Sequence, residues 1–141
     1  MSYRISAIPE MPAYLRLRGK GAQPFEDTAF CLAVRRAGWK LVYDPQVLVD
    51  HLEGAREEIR YYSHTLPVTD VEGFENLSFN NVVALWDELP PTRMIAFAMW
   101  SFLVGVRVCP GVIQAIRFTT QMGLAASWHR FFVAQRGFAK A

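Results

Sequence analysis

Two adjacent carboxylates, Glu26 and Asp27, follow Phe25 and open a run of helical periodicity, which puts two potential proton acceptors on a helix's first turn. A positioned carboxylate can take the proton of a hydroxyl as that oxygen attacks an electrophile, so the pair is a candidate general base. From position alone the same residues read first as favourable helix-start carboxylates, each worth a few tenths to about 1 kcal/mol through the helix dipole. Further along, His51 ends a β-rich run, where a structural or acceptor-contact role stands level with ligation of a divalent cation by a neutral imidazole. Arg56 and Arg60 are able to contact a diphosphate, although an exposed solvated face is the more frequent explanation of such residues. Trp39 can stack on a sugar face, but a Trp between two elements is more often a core anchor. Asp44 and Asp50 read as turn and strand-edge residues. Cys31 and Cys109 have neither CxxC spacing nor neighbouring ligands and read as small buried hydrophobes of a reducing compartment.

The elements that must position these groups follow from local pattern. Met1 to Pro24 holds Pro9, Pro12, Gly19, Gly21 and Pro24 and reads as an irregular entry, with Ala13 to Arg18 as its one short strand. From Glu26, Phe30, Ala33, Val34 and Ala37 recur at helical spacing, Arg35 and Arg36 fall in the last turn, and Gly38 stops the helix. Lys40 to Asp44 and Val47 to His51 are β-rich and separated at Pro45, which predicts two short strands or one strand broken at a turn. Glu53 to Tyr62 is a charged stretch with brief helical character, and Ser63 to Gly73 reads as a loop. A second helix is expected from about Phe74 to Leu89, burying Leu77, Val82, Leu85, Trp86 and Leu89 and ending at Pro90-Pro91.

One segment is more specific than its parts. Phe25-Glu26-Asp27, then Arg35-Arg36-Ala37-Gly38-Trp39-Lys40, then Leu41-Val42-Tyr43-Asp44-Pro45, then Val49-Asp50-His51 follow one another in fixed order. Over Gly19 to Arg56 the chain resembles the family 2 glycosyltransferases of the GT-A fold, where a Glu-Asp pair begins a helix, a Gly follows its end, and a strand leads to a Pro and then a His. The resemblance implies an α/β fold, a partial Rossmann-like acceptor-side region followed by membrane-associated helices. It implies an inverting transfer of a sugar from a nucleotide-sugar donor to a glycan or lipid acceptor, with Asp27 as base and Glu26 orienting it or the acceptor. It further implies His51 near a divalent metal, Mg²⁺ or Mn²⁺, and Arg56 toward the donor diphosphate. The family's nucleotide-binding half and its Asp-x-Asp motif are not in this sequence, so the chain reads as a fragment incomplete by itself, either shortened or one half of a split enzyme whose partner chain carries that half. The alternative reading is a catalytically silent membrane-docking or interaction module that needs another chain for any chemistry.

Composition points to a membrane partner. The chain has 141 residues, 52% of them hydrophobic and 20% charged, with ten Phe, four Trp and five Tyr, which argues against wholesale disorder. The net charge of +2 conceals a division: Met1 to Glu88 hold nine basic and thirteen acidic residues, and everything after Glu88 holds six basic and none acidic. An apolar, aromatic, carboxylate-free tail suits an anionic leaflet, whereas nucleic acid would call for a dense Lys/Arg patch that is not present. Met94 to Val106 has Ser101 as its only polar side chain, and a second apolar stretch restarts at Val112. A single span over Met94 to Ile116 would bury Arg107 and include Pro110, so a re-entrant or interfacial helical hairpin is expected. Trp128, Phe131 and Phe132 beside His129, Arg130 and Arg136 match a helix in the headgroup region.

The expected organisation is therefore an acceptor-side region over residues 1–62, a linker and amphipathic helix over 63–90, and a membrane-associated helical tail over 91–141. The expected location is the cytoplasmic membrane, with the catalytic region facing the cytoplasm. Met1 to Lys20 mix charge and proline and do not read as a signal peptide.

Overall fold

The structure is a computed structural model that describes residues 6, 16–19, 23–48, 68–86 and 88–141. Five helices account for its regular structure: α1 (Glu26–Arg36), α2 (Val71–Trp86), α3 (Pro91–Leu103), α4 (Val112–Met122) and α5 (Leu124–Ala139). Helices α2 and α5 form the central pair; α1 packs on α2, and α4 packs on α5. Among the described residues there is no strand, only an isolated antiparallel bridge between Gly105 and Pro110.

The expected α/β, Rossmann-like fold is thus overturned: the described chain is all-helical. Residues 39–48 run without regular structure, and Val42, Tyr43 and Leu48 are 85%, 88% and 90% exposed. β-branched and aromatic side chains favour a strand only against cross-strand neighbours, and among the described residues no strand lies beside this backbone to build a ladder. What survives is the turn at Pro45, where the Asp44 carboxylate accepts from Gln46 N–H at 2.9 Å and the Asp44 carbonyl from Val47 N–H at 3.3 Å. Most of the Ala13–Arg18 strand and the end of the Val47–His51 strand lie outside the described residues.

Helix α1 follows its local signals. Ala29, Ala33 and Val34 are buried, and acidic and basic residues occupy the first and last turns as the dipole favours. At its end Gly38 takes φ 87°, with Gly38 N–H donating to Arg35 O at 3.0 Å and Trp39 N–H to Val34 O at 3.3 Å. This paired closure needs a left-handed residue, which glycine adopts without a Cβ clash. Helix α2 starts at Val71, earlier than the pattern predicts, because Asp70 caps it: its carboxylate accepts from Gly73 N–H at 2.9 Å. Phe74, Leu77, Val82 and Val83 are buried, while Trp86 at the end of α2 is exposed.

Pro90 and Pro91 serve as N-cap and first residue of α3, positions that need no backbone N–H. The apolar stretch from Met94 to Ile116 is not one element; α3 closes at Leu103 and α4 opens at Val112. No helix among the described residues is long and apolar enough to cross a membrane. In α5, Phe131 and Arg130 are buried while Phe132 and His129 are exposed, so the expected headgroup stripe is split between core and surface.

The α2–α5 contact is close at Gly137. A Cβ there would lie 2.2 Å from the Glu75 carbonyl oxygen, a backbone atom that cannot swing aside. Gly137→Ala is expected to destabilise the chain by about 1–3 kcal/mol despite alanine's better helix propensity, read as a lower urea midpoint. Beside it, the Glu75 carboxylate pairs with Arg136 at 2.6 Å and with Lys140 on the next turn of α5. The Lys140 hydrogen bond, then that of Arg136, outweighs desolvation and holds the Glu75 carboxyl below its usual range. A depressed folded value means stability present above the unfolded pKa and lost as pH falls through the folded one. Because both cations are about half exposed, the stability difference between the parent chain and Glu75→Gln should be about 1 kcal/mol or less at neutral pH. It should shrink in acid below the ordinary carboxylate range; a difference that stays constant there would assign the effect to packing.

Candidate functional site at the start of helix α1

Asn80, on the buried stripe of α2, builds the approach to the Glu26–Asp27 pair. Its amide is fully buried and makes three hydrogen bonds to the entering backbone: Oδ1 accepts from Arg18 N–H at 2.8 Å, and Nδ2 donates to Arg18 O at 2.8 Å and Pro24 O at 3.0 Å. Leu17 is buried in a cluster with Ala29, Phe79, Val83 and Ala84, and the Arg18 guanidinium lies over the Phe79 ring at 3.6 Å. One side chain of α2 thereby fastens both ends of the described entry segment.

Phe25 is the next constraint. It is the one non-glycine residue with positive φ among the described residues, at φ 70° and ψ 9°. The left-handed region costs a residue with a Cβ about 1–2 kcal/mol, and packing offsets it here. The Phe25 ring contacts both core clusters, that of Leu17, Ala29, Phe79, Val83 and Ala84 and that of Phe74, Leu77, Val133 and Ala134. The chain then turns into the helix, with Glu26 N–H donating to Gln23 O at 3.1 Å and Ala29 N–H to Phe25 O at 2.9 Å.

Glu26 and Asp27 consequently stand on the exposed first turn of α1, while Ala29 and Ala33 bury the opposite side. The arrangement offers two carboxylates in water at the positive end of a helix, on a backbone anchored from beneath. His51, Arg56, Arg60 and Asp50 lie outside the described residues. Among the described residues no three His, Cys, Asp or Glu side chains group as metal ligands. Trp39 is half-buried and Asp44 is engaged in its own turn.

Other buried polar groups serve the interior. Arg130 is 1% exposed, its guanidinium 4.6 Å from the Phe74 ring and 5.8 Å from that of Phe118, with Nη2 donating to Arg107 O at 3.4 Å. Burial pushes its pKa down. Burial also pushes the Cys109 thiol up to about 11, so at neutral pH it is an un-ionised, poor nucleophile. The cavity lined by Ser78, Asn81, Ser101, Cys109, Ala134, Gln135 and Phe138 offers about 10 Å³, room for about one water. The Ser127 hydroxyl donates to Ala115 O and ties α5 to α4.

Sequence reasoning found the carboxylate pair but missed Asn80, Phe25's conformation and the burial of Arg130. A signal existed for Asn80, since it falls between Leu77 and Ala84 on an apolar helical stripe, where a polar side chain must find partners. No protein-family model, no characterised protein and no solved structure matches this chain.

Proposed function

We propose that this chain is the acceptor-side part of an inverting glycosyltransferase resembling family 2, acting at the cytoplasmic face of a membrane on a glycan or lipid acceptor. The observation that carries the reading is the Phe25-Glu26-Asp27 segment, with its carboxylates exposed at the start of α1 and its backbone anchored by Asn80. In this reading Asp27 accepts the proton of the acceptor hydroxyl as that oxygen attacks the anomeric carbon, and the nucleoside diphosphate departs from the opposite face. Glu26 orients Asp27 or the acceptor. The proposal includes a second chain that holds the nucleotide-sugar, with His51 ligating Mg²⁺ or Mn²⁺ and Arg56 contacting the diphosphate. Anchoring supports the role because a base must be held near its substrate to act as one.

The test is incorporation of labelled sugar from nucleotide-sugar donors into lipid and glycan by membranes of the native cells, compared with cells carrying Asp27→Asn. Incorporation lost in Asp27→Asn supports the transferase. Incorporation unchanged in Asp27→Asn but lost on deleting the chain would replace it with a non-catalytic docking module, a reading that the exposed apolar residues of α3 also favour.

A further inference from the structure

Helix α3 is inverted relative to a helix that faces water. In water an amphipathic helix turns its apolar stripe inward. In α3 the only buried residue is Ser101, at 7% exposure, while Ile95, Met99, Trp100, Phe102 and Leu103 are exposed, Ile95 at 62%. At 100° per residue Ile95, Met99 and Leu103 cluster on the side away from Ser101, with Phe102 at the edge of that stripe. Ile113 and Ile116 on α4 are exposed too. So many large apolar side chains left about half exposed forgo much of the stabilisation that burial gives, so the face suits another medium.

Charge indicates which medium. Residues after Glu88 include no carboxylate. Of their six basic residues, Arg130 is buried beneath aromatic rings, and Arg136 and Lys140 are paired with Glu75. Arg93, Arg107 and Arg117 are the exposed ones that remain, placed in the first turn of α3, in the α3–α4 connection, and one turn beyond Ile113 on α4. Three exposed arginines and no carboxylate over these segments are complemented by an anionic leaflet. Helix α3 has 13 residues, a length of about 20 Å against a hydrocarbon core of about 30 Å, so it fits in the surface plane and not across it.

We infer that α3, extended by Ile113 and Ile116 of α4, is a monotopic docking face that lies at the headgroup–acyl boundary of an anionic bilayer, with Arg93, Arg107 and Arg117 engaging lipid phosphates. This deepens the membrane part of the function proposed above and does not depend on the chemistry at Asp27.

The test is flotation of the full-length chain with vesicles of phosphatidylcholine alone and of phosphatidylcholine containing phosphatidylglycerol, at low and high salt. The chain is expected to float with the anionic vesicles. Arg93→Gln with Arg117→Gln should weaken that binding by about 30-fold, at about 1 kcal/mol per basic residue near the surface. Ile95→Ser with Met99→Ser, whose side chains are among the most exposed of α3, should weaken it at both salt concentrations with unchanged circular dichroism. Equal binding to both vesicle types that is indifferent to the arginine pair would overturn the inference, as would a stable soluble dimer that ignores vesicles. Asp27→Asn should bind like the parent, so failure of the transferase reading would leave vesicle binding intact, and failure of docking would appear without reference to sugar transfer.

Discussion

Asp27→Asn is expected, on the proposed transferase function, to lower sugar transfer by about 10²–10⁴-fold, the contribution of a positioned general base, while leaving thermal unfolding nearly unchanged. The separation of the two effects follows from placement. Asp27 is exposed on the first turn of α1, so exchanging its carboxylate for an amide creates no cavity and removes at most a few tenths to about 1 kcal/mol of helix-dipole stabilisation. Glu26→Gln, one residue away with the same exposure and dipole position, is the control, because an orienting role predicts a smaller loss. Label incorporation by native membranes and circular-dichroism melts of the purified chains provide the two readouts. Equal losses in both variants would point to general charge at the helix end, and a melt shifted by many degrees would make the activity loss a folding effect.

Asn80→Ala is expected to destabilise the chain by about 2–4 kcal/mol, the largest effect of any single substitution considered. The amide satisfies Arg18 N–H, Arg18 O and Pro24 O together, and removing it strands all three partly buried groups as well as three bonds worth about 1 kcal/mol each. Urea denaturation of the two chains measures the loss directly. Asn80→Asp separates volume from hydrogen bonding: it keeps the size and the acceptor for Arg18 N–H but sets an oxygen against two carbonyl oxygens. It should therefore be at least as destabilising as alanine at neutral pH. A mild Asn80→Asp would mean that the site is held by packing of Leu17 and Phe25. Since the same amide anchors the residues leading into Phe25-Glu26-Asp27, Asn80→Ala should also lower transfer in the fraction of chains that stay folded.

The sequence was legible where structure is local. Helix α1 depends on the spacing of Ala33 and Val34, on charges at its two ends and on Gly38, all within a few residues, and each behaves as the pattern predicts. The turn at Asp44-Pro45 is local in the same sense. The strand over Lys40 to Asp44 was misread because strand structure is relational: Leu41, Val42 and Tyr43 have the right residue types, but with no neighbouring strand among the described residues their side chains stand in solvent. Arg130 was misread for a related reason, since beside Trp128 and Phe132 it resembles a headgroup arginine, and only the placement of Phe74 and Phe118 turns it into a core residue.

By itself the sequence determined the carboxylate pair on a helix's first turn, the stop of that helix, the proline boundary before α3 and the carboxylate-free tail, because each follows from nearest-neighbour chemistry or from composition. Only the tertiary structure decided that Asn80 clamps the entry to that pair, that Gly137 lets α5 approach α2, and that α3 turns Ser101 inward and its apolar side chains out. Those outcomes depend on which surfaces meet across residues far apart in the chain, and neither periodicity nor propensity contains that information.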